Sequence, residues 1–267
     1  MSRVVKVLLG FLACGFACCL CLPAISKVRM SANRVSCLNN MKQLGYALHN
    51  YHDTFHSFPP GTIPNEDLQP GDRLSWLVPI LPFIEQDNLY AQINRGKGWN
   101  SPENQATKRQ VKTLLCPESE VYGNFQIGSY VGMAGLGKDA PLLASTDAKA
   151  GVFGYDRKTK QSQVTDGVST TLMVIETNFE NGPWSAGGFP TVRGIDTDGS
   201  DYLGFTGQFG SLHRTEESTL FKVYPECSNC TFVDGSVRYL VKTIDPLTFE
   251  ALATIAGGEK VELPIDY

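Results

Sequence analysis

The sequence predicts an α+β chain in which one long N-terminal helix, first transmembrane and then amphipathic, packs on a β-rich globular head. Three observations predict it: an uncharged apolar run from Val7 to Ser26, apolar residues recurring at steps of three and four from Val28 to Tyr51, and short apolar runs punctuated by Gly and Pro through residues 58–267. The chain divides accordingly into a transmembrane or signal-anchor segment (1–26), an amphipathic continuation of the same helix (27–57) and the head (58–267).

The apolar run comes first. A helix rises about 1.5 Å per residue, so these 20 positions span about 30 Å, the hydrocarbon thickness of a bilayer. Leu, Ile, Val and Phe fill nine of them, and no charge opposes insertion. Arg3 and Lys6 ahead of the run, and the small residues Ala13-Cys14-Gly15 within it, also fit a cleaved signal peptide. A signal core of about 7–15 residues would be complete by then, yet Phe16 to Ile25 stay apolar, which favours a retained anchor with the lipid bilayer as its partner. Lys27, Arg29, Arg34 and Lys42 follow the run, so the two flanks nearly balance and charge alone does not orient the span.

Beyond Ile25, the apolar positions Val28, Ala32, Val35, Leu38, Met41, Leu44, Leu48 and Tyr51 mark one helix face. Pro23 removes a backbone bond and bends the rod, and Phe58-Pro59-Pro60-Gly61 stops it, because the residue before a proline is forced away from helical geometry. In the head, Ser129–Met133, Thr171–Glu176, Leu220–Tyr224, Thr231–Val233 and Ser236–Val241 read as strands. Asp234-Gly235 joins the last two as a type I′ turn with positive φ at both central positions. Asp166-Gly167 turns the chain ahead of the strand ending at Glu176. Asp245-Pro246 opens a short helix closed by Gly257-Gly258, with Leu247, Leu252, Ile255 and Ala256 as its buried face against a sheet edge. Residues 139–160, small and charged, read as a surface loop or a poorly ordered insertion.

The formal charge is −4, and setting aside Arg3 and Lys6 leaves −6 after Ser26. A mildly acidic chain without a basic, aromatic-laced run is unsuited to phosphate backbones, so no nucleic acid is expected as a partner. Of eight cysteines, four lie in the apolar run and four outside it: Cys37, Cys116, Cys227 and Cys230. In an oxidising compartment Cys37 with Cys116 would tie the helix to the head, and Cys227 with Cys230 would close a small loop. Free thiols remain an alternative, as does a metal knuckle at Cys227-Ser-Asn-Cys230, although outside the apolar run no second Cys pair of that spacing exists to complete a zinc site.

Several constellations invite chemistry. His49, His52, Asp53 and His56 lie at helical spacing and could bind a divalent metal, against the plainer reading of a polar patch where helix meets head. Asp196, Asp198 and Asp201 surround Gly199 and suit calcium, with a spacing unlike an EF-hand. Gly132 to Lys138 outlines a phosphate loop, but Asp139 replaces the hydroxyl residue and Pro141 blocks the following helix, which excludes nucleotide binding. His213 has no nucleophile partner in sequence, and Asp234 is explained by its turn, so catalysis is not expected. An extracytoplasmic hydrolase using those two residues is the enzymatic alternative. A binding module for polysaccharide or substrate uptake is another, with Trp76, Trp99 and Trp184 offering sugar-stacking faces if exposed.

The segment LPAISKVRMSANRVSCLNNMKQLGYALHNYHDTFHSFPPG, followed in order by LLCPES, VTDGVSTTLMVIE, FGSLH, FVDGSVRYL and LATIAGGEKVE, resembles a large family of bacterial prepilin-like proteins of unknown function, DUF1559. That family has a prepilin-type N-terminal helix and a His-X9-Asp-Gly motif near its end, to which His213, Asp234 and Gly235 correspond. Here 20 residues separate His213 from Asp234, so the chain carries an insertion holding Cys227 and Cys230. Gly10-Phe11 is followed by Leu12-Ala13-Cys14-Gly15 rather than by the Thr-Leu-Ile-Glu of a prepilin peptidase site. The resemblance implies a pilin-like or pseudopilin-like, non-catalytic surface protein. It would be single-pass in the inner membrane with a periplasmic head, and its partners would be other pilin-like subunits or a secretion or pilus assembly machine. Some pseudopilins hold calcium in a head loop, which extends to Asp196, Asp198 and Asp201.

Overall fold

The computed structural model describes residues 32–117, 127–199, 201–211, 226–259 and 261 of the 267. The apolar run 7–26, the expected strand Leu220–Tyr224 and His213 lie outside the described residues. Helix α1 covers residues 32–55. A single turn, α2, follows at Asp87–Tyr90. Then come β1 (Tyr130–Leu136), β2 (Leu172–Glu176), β3 (Val192–Ile195), β4 (Cys227–Phe232), β5 (Val237–Val241) and helix α3 (Pro246–Leu252).

The strands form one mixed sheet in the order β3-β1-β2-β4-β5. β1 pairs with β3 in parallel, and the other neighbours are antiparallel. Alternation along each strand feeds two cores, since successive side chains point to opposite faces. Tyr130, Ala134 and Val174 pack with Met41, Leu44 and Leu48 of α1 and with Trp76, Leu77 and Phe153. Val131, Met133, Ile175, Cys230 and Phe232 pack with Phe249 and Leu252 of α3 on the other side. Helix α3 therefore covers a face of the sheet rather than its edge.

The buried stripe of α1 is Cys37, Met41, Leu44, Ala47 and Leu48, whereas Val35 is 54% exposed, so the stripe is narrower at its start than the three-and-four spacing implied. Gly45 lets the helix approach β4: a Cβ there would stand 3.2 Å from Thr231 Cγ2 and 3.5 Å from the Gly235 carbonyl. Thr231 Oγ1 donates to the Met41 carbonyl at 3.4 Å. Replacing Gly45 with valine is expected to lower stability by about 1–3 kcal/mol through overpacking, despite valine's better helix propensity, as read from the urea midpoint. The helix ends earlier than its prolines require. His56 takes a left-handed φ of 59°, a helix-terminating geometry, and the prolines continue the chain away from it.

Three further expectations are corrected. The β4–β5 connection is not type I′: Gly235 has φ 80°, but Asp234 is not among the positive-φ residues. Gly235 N–H donates to the Phe232 carbonyl and Phe232 N–H to the Ser236 carbonyl, both at 2.9 Å, which is a three-residue hairpin loop with one left-handed glycine. Helix α3 starts as expected, with Asp245 Oδ2 accepting the Thr248 N–H at 2.9 Å, but it ends at Leu252. Its buried side carries Phe249, Ala251 and Leu252, and Leu247 is exposed. Gly257 and Gly258 instead deliver their N–H groups to the Asp166 carboxylate at 2.7 and 2.9 Å, tying the turn before β2 to the chain after α3.

Residues 139–160 are no surface loop. Ala140, Ala150, Val152 and Phe153 are fully buried, and Phe153 lies 4.8 Å from the Trp76 ring. The organiser is Arg157, whose guanidinium donates to the carbonyls of Ala140 (3.4 Å), Ala134 (3.2 Å) and Gly151 (2.9 Å) and also to those of Leu143 and Phe153. Burial lowers its pKa to about 10, which leaves it charged at neutral pH. Small residues are abundant here because backbones run close together: a Cβ on Gly135 would meet the Lys149 carbonyl at 1.9 Å.

Candidate functional site

A polar constellation built around a disulfide lies where α1 meets the sheet. Cys37, on the buried stripe of α1, is joined by a disulfide to Cys116, with a Cα–Cα distance of 5.4 Å across 79 positions of sequence. The second cysteine is held in place by its own backbone, since Cys116 N–H donates to Ser129 Oγ at 3.0 Å just before β1. One turn along α1, Asn40 Nδ2 donates to the Leu115 carbonyl at 3.0 Å and to the Tyr130 hydroxyl at 3.2 Å. Tyr130 is the register partner of Glu176 at the end of β2.

Glu176 is fully buried, and Asn229 Nδ2 of β4 donates to its Oε2 at 2.6 Å. Burial first, and then the Glu176 charge, push the Tyr130 hydroxyl well above its ordinary range, so Tyr130 stays protonated. Sequence reading found the cysteines but missed Glu176, Asn40 and Asn229. A glutamate closing an apolar run looks like the wet end of a strand, and its burial depends on Asn229, 53 residues away. The arrangement acts chemically as a clamp: one covalent bond and the Asn40 amide fix α1 to the head, beside a buried carboxylate that Asn229 holds within the sheet.

Cys227 and Cys230 do not form the expected second disulfide; both are free and buried. They lie three apart on β4, where about 3.3 Å per residue separates their Cα atoms by roughly 10 Å and alternation points them to opposite faces, well beyond disulfide reach. They belong to a core strand rather than to an inserted loop. Burial raises the Cys227 thiol from 9.0 to about 11 and Cys230 well above its ordinary range, with Glu176 pushing both further in the same direction. Both are therefore neutral at pH 8, and alkylation mapped by peptide mass spectrometry is expected to leave them unmodified until the chain is unfolded. Because the folded Cys227 pKa is raised, its contribution to stability is complete below pH 9 and is lost as pH rises toward 11.

The aspartates proposed for calcium do not converge. Asp196 Oδ2 pairs with Lys138 Nζ at 2.6 Å, and Asp201 Oδ2 pairs with Lys242 Nζ at 3.1 Å. Among the described residues, Asp196, Asp198 and Asp201 do not bring three ligand atoms within 4.8 Å of one another. Lys242 also borders a cleft of about 150 Å³ with Asp201, Tyr202 and Ile244, smaller than the roughly 300 Å³ at which small-molecule sites begin. Among the described residues, His49, His52, Asp53 and His56 likewise do not bring three ligand atoms within 4.8 Å of one another. His49 and His52 pack on the Phe58 ring, at 6.0 and 4.9 Å, while Asp53 is exposed. His52 Nε2 accepts the Gln161 N–H at 3.3 Å, and the group forms the polar junction between helix and head.

Asp234 Oδ1 accepts the Ser236 N–H at 2.8 Å, and Gly235 lies against His49 at the hairpin tip. Their family partner His213 lies outside the described residues. Trp76 and Trp184 are buried and donate to the carbonyls of Thr191 (2.8 Å) and Arg109 (2.9 Å), and the half-buried Trp99 donates to that of Gly71 (3.0 Å). The first two serve the core and offer no sugar-stacking face. No helix among the described residues is long and apolar enough to cross a membrane.

Fold and clamp together define an α+β head assembled on, and covalently tied to, the helix that precedes it. The chain belongs to a protein family of unknown function, DUF1559, whose model matches residues 26–247. No curated protein and no solved structure matches it.

Proposed function

We propose that this chain is a membrane-anchored, pilin-like subunit with a structural role and no catalysis. The run 7–26 would be its single span of the inner membrane, and the head would stand in the periplasm. The observation that carries this reading is the clamp. A disulfide between Cys37 and Cys116 suits an oxidising compartment, and it fixes to the head the very helix that the apolar run leads into. The first described turn of α1 supports the same reading, since Ala32, Val35 and Ser36 are exposed while Met41, Leu44 and Leu48 are buried. Val35, Tyr46 and Phe55 leave apolar surface along α1 for a neighbouring subunit or an assembly machine.

Fractionation of cells producing the full chain, combined with protease added to spheroplasts and mass spectrometry of the mature N-terminus, tests the proposal. The chain is expected in the inner membrane, starting at Met1 or Ser2, with the head degraded from outside. A head that survives the protease while a cytosolic marker is also protected overturns the assignment. A mature N-terminus at Phe11 would instead return the chain to the processed, filament-forming class.

A further inference from the structure

We infer that the clamp doubles as a redox-gated site for a soft divalent cation of the zinc and cadmium type. The ligands are the thiolates of Cys37 and Cys116, freed by reduction, and the carboxylate of Glu176. One ligand atom from each of these residues lies within 4.8 Å of the other two, and all three residues are buried. No other set of three His, Cys, Asp or Glu side chains among the described residues does this.

The three ligands come from three segments that are positioned independently of the sulfur–sulfur bond. Asn40 anchors α1 to the Leu115 carbonyl at 3.0 Å, Ser129 Oγ holds the Cys116 N–H at 3.0 Å, and Asn229 Nδ2 orients the Glu176 carboxylate at 2.6 Å. A hydrogen-bonded carboxylate of this kind is what a metal ligand requires, because its outer partner fixes the lone pair that points at the ion. Reduction therefore leaves the donor atoms gathered rather than scattered. Two sulfurs and one oxygen with a fourth position open match the preferences of zinc, for which tetrahedral geometry needs the sulfurs about 3.8 Å apart.

The chemistry balances with a dithiol as reductant. Its two thiols give two electrons and two protons to the Cys37–Cys116 bond, which breaks to two thiols, while the reductant closes to its own disulfide. The cation then displaces those two protons, so two positive charges enter as two leave and the buried charge is unchanged. The tie between α1 and the head is thus kept in either redox state, as a disulfide or as a metal dithiolate. This inference does not depend on the membrane reading.

The test uses the full chain in detergent, with Cys14, Cys18, Cys19, Cys21, Cys227 and Cys230 replaced by alanine so that only the clamp cysteines remain. After reduction by a dithiol and its removal, cadmium titration is expected to give the ultraviolet thiolate-to-metal charge-transfer band, saturating at one equivalent. The air-oxidised protein should give none. Glu176→Gln in the same background should weaken binding by at least about tenfold, the scale seen when groups supporting a metal site are lost. A reduced protein without the band, or a Glu176→Gln variant of unchanged affinity, overturns the inference. Melting of the otherwise unaltered chain with zinc is the second readout, in case the alanine background does not fold. A rise in melting temperature confined to the reduced protein and absent in Glu176→Gln supports the site, and an equal rise or no rise in both overturns it.

Discussion

Replacing Arg157 with methionine is expected to destabilise the head by about 3–5 kcal/mol, because several buried carbonyls lose a donor at once. Five main-chain carbonyls accept from this one guanidinium; those of Ala134 and Ala140 also accept the Gly151 and Leu143 N–H groups, so Leu143, Gly151 and Phe153 rely on it most. A buried acceptor left without a donor costs about 1–3 kcal/mol, and methionine fills a similar volume without supplying any. The loss is smaller than five such terms because the burial that lowers the Arg157 pKa to about 10 is a cost that methionine does not incur. Lysine should rescue only part of the effect, since a point charge cannot reach the carbonyls that a planar fork reaches. Urea denaturation of the three proteins side by side gives the result, and equal midpoints for arginine and methionine would remove Arg157 from its organising role.

The double substitution Cys37→Ser, Cys116→Ser is expected to cost about 4.5 kcal/mol, the loop-closure value for a cross-link spanning 79 positions. The effect acts mostly on the unfolded chain, which regains the freedom the bond removed. Hydrogen exchange should therefore show little change in β1 and β2 of the folded protein, while Asn40 continues to hold α1 at Leu115 and Tyr130. The wild-type chain, once reduced without metal, should melt close to the double-serine variant. A cost below about 1 kcal/mol would mean that the amide contacts alone fix the helix.

Much of this architecture is legible in the residues, and the exceptions share one cause. Spacing by three and four identifies Met41, Leu44 and Leu48 because a helix that buries one stripe must repeat at its own period. Strands β1, β2 and β5 announce themselves as short apolar runs. Strand β3 does not, because Val192-Arg193-Gly194-Ile195 carries a charge and a glycine in its middle. Its Arg193 is buried against acceptors far back in the chain, the Phe179 carbonyl at 2.9 Å and the Glu180 carbonyl and Asn181 Oδ1 at 3.4 Å. Residues 139–160 mislead for the same reason: small residues look like a loop until the arginine that binds their carbonyls is seen.

In the candidate site, the Cys37–Cys116 pair is legible, since four thiols outside the apolar run invite pairing, but the same logic also pairs Cys227 with Cys230, which their strand keeps apart. Glu176 is not legible, because its burial is a property of β4 and α1 rather than of its own neighbours. The hairpin at Asp234-Gly235 is an intermediate case: the dipeptide marks the turn, but its type depends on how Phe232 and Ser236 pair. Local chemistry thus fixes where elements lie, while buried polar groups follow from contacts distant in sequence.

Because Met41, Leu44 and Leu48 are core residues, a recombinant fragment trimmed to begin at Phe58 would lack side chains worth about 1.5–3 kcal/mol each, a sum comparable to the entire stability of an ordinary domain. It would also leave Cys116 without a mate and one side of the sheet wet. Soluble production therefore has to keep Cys37 and the helix that follows it, so that the helix travels with the body it completes.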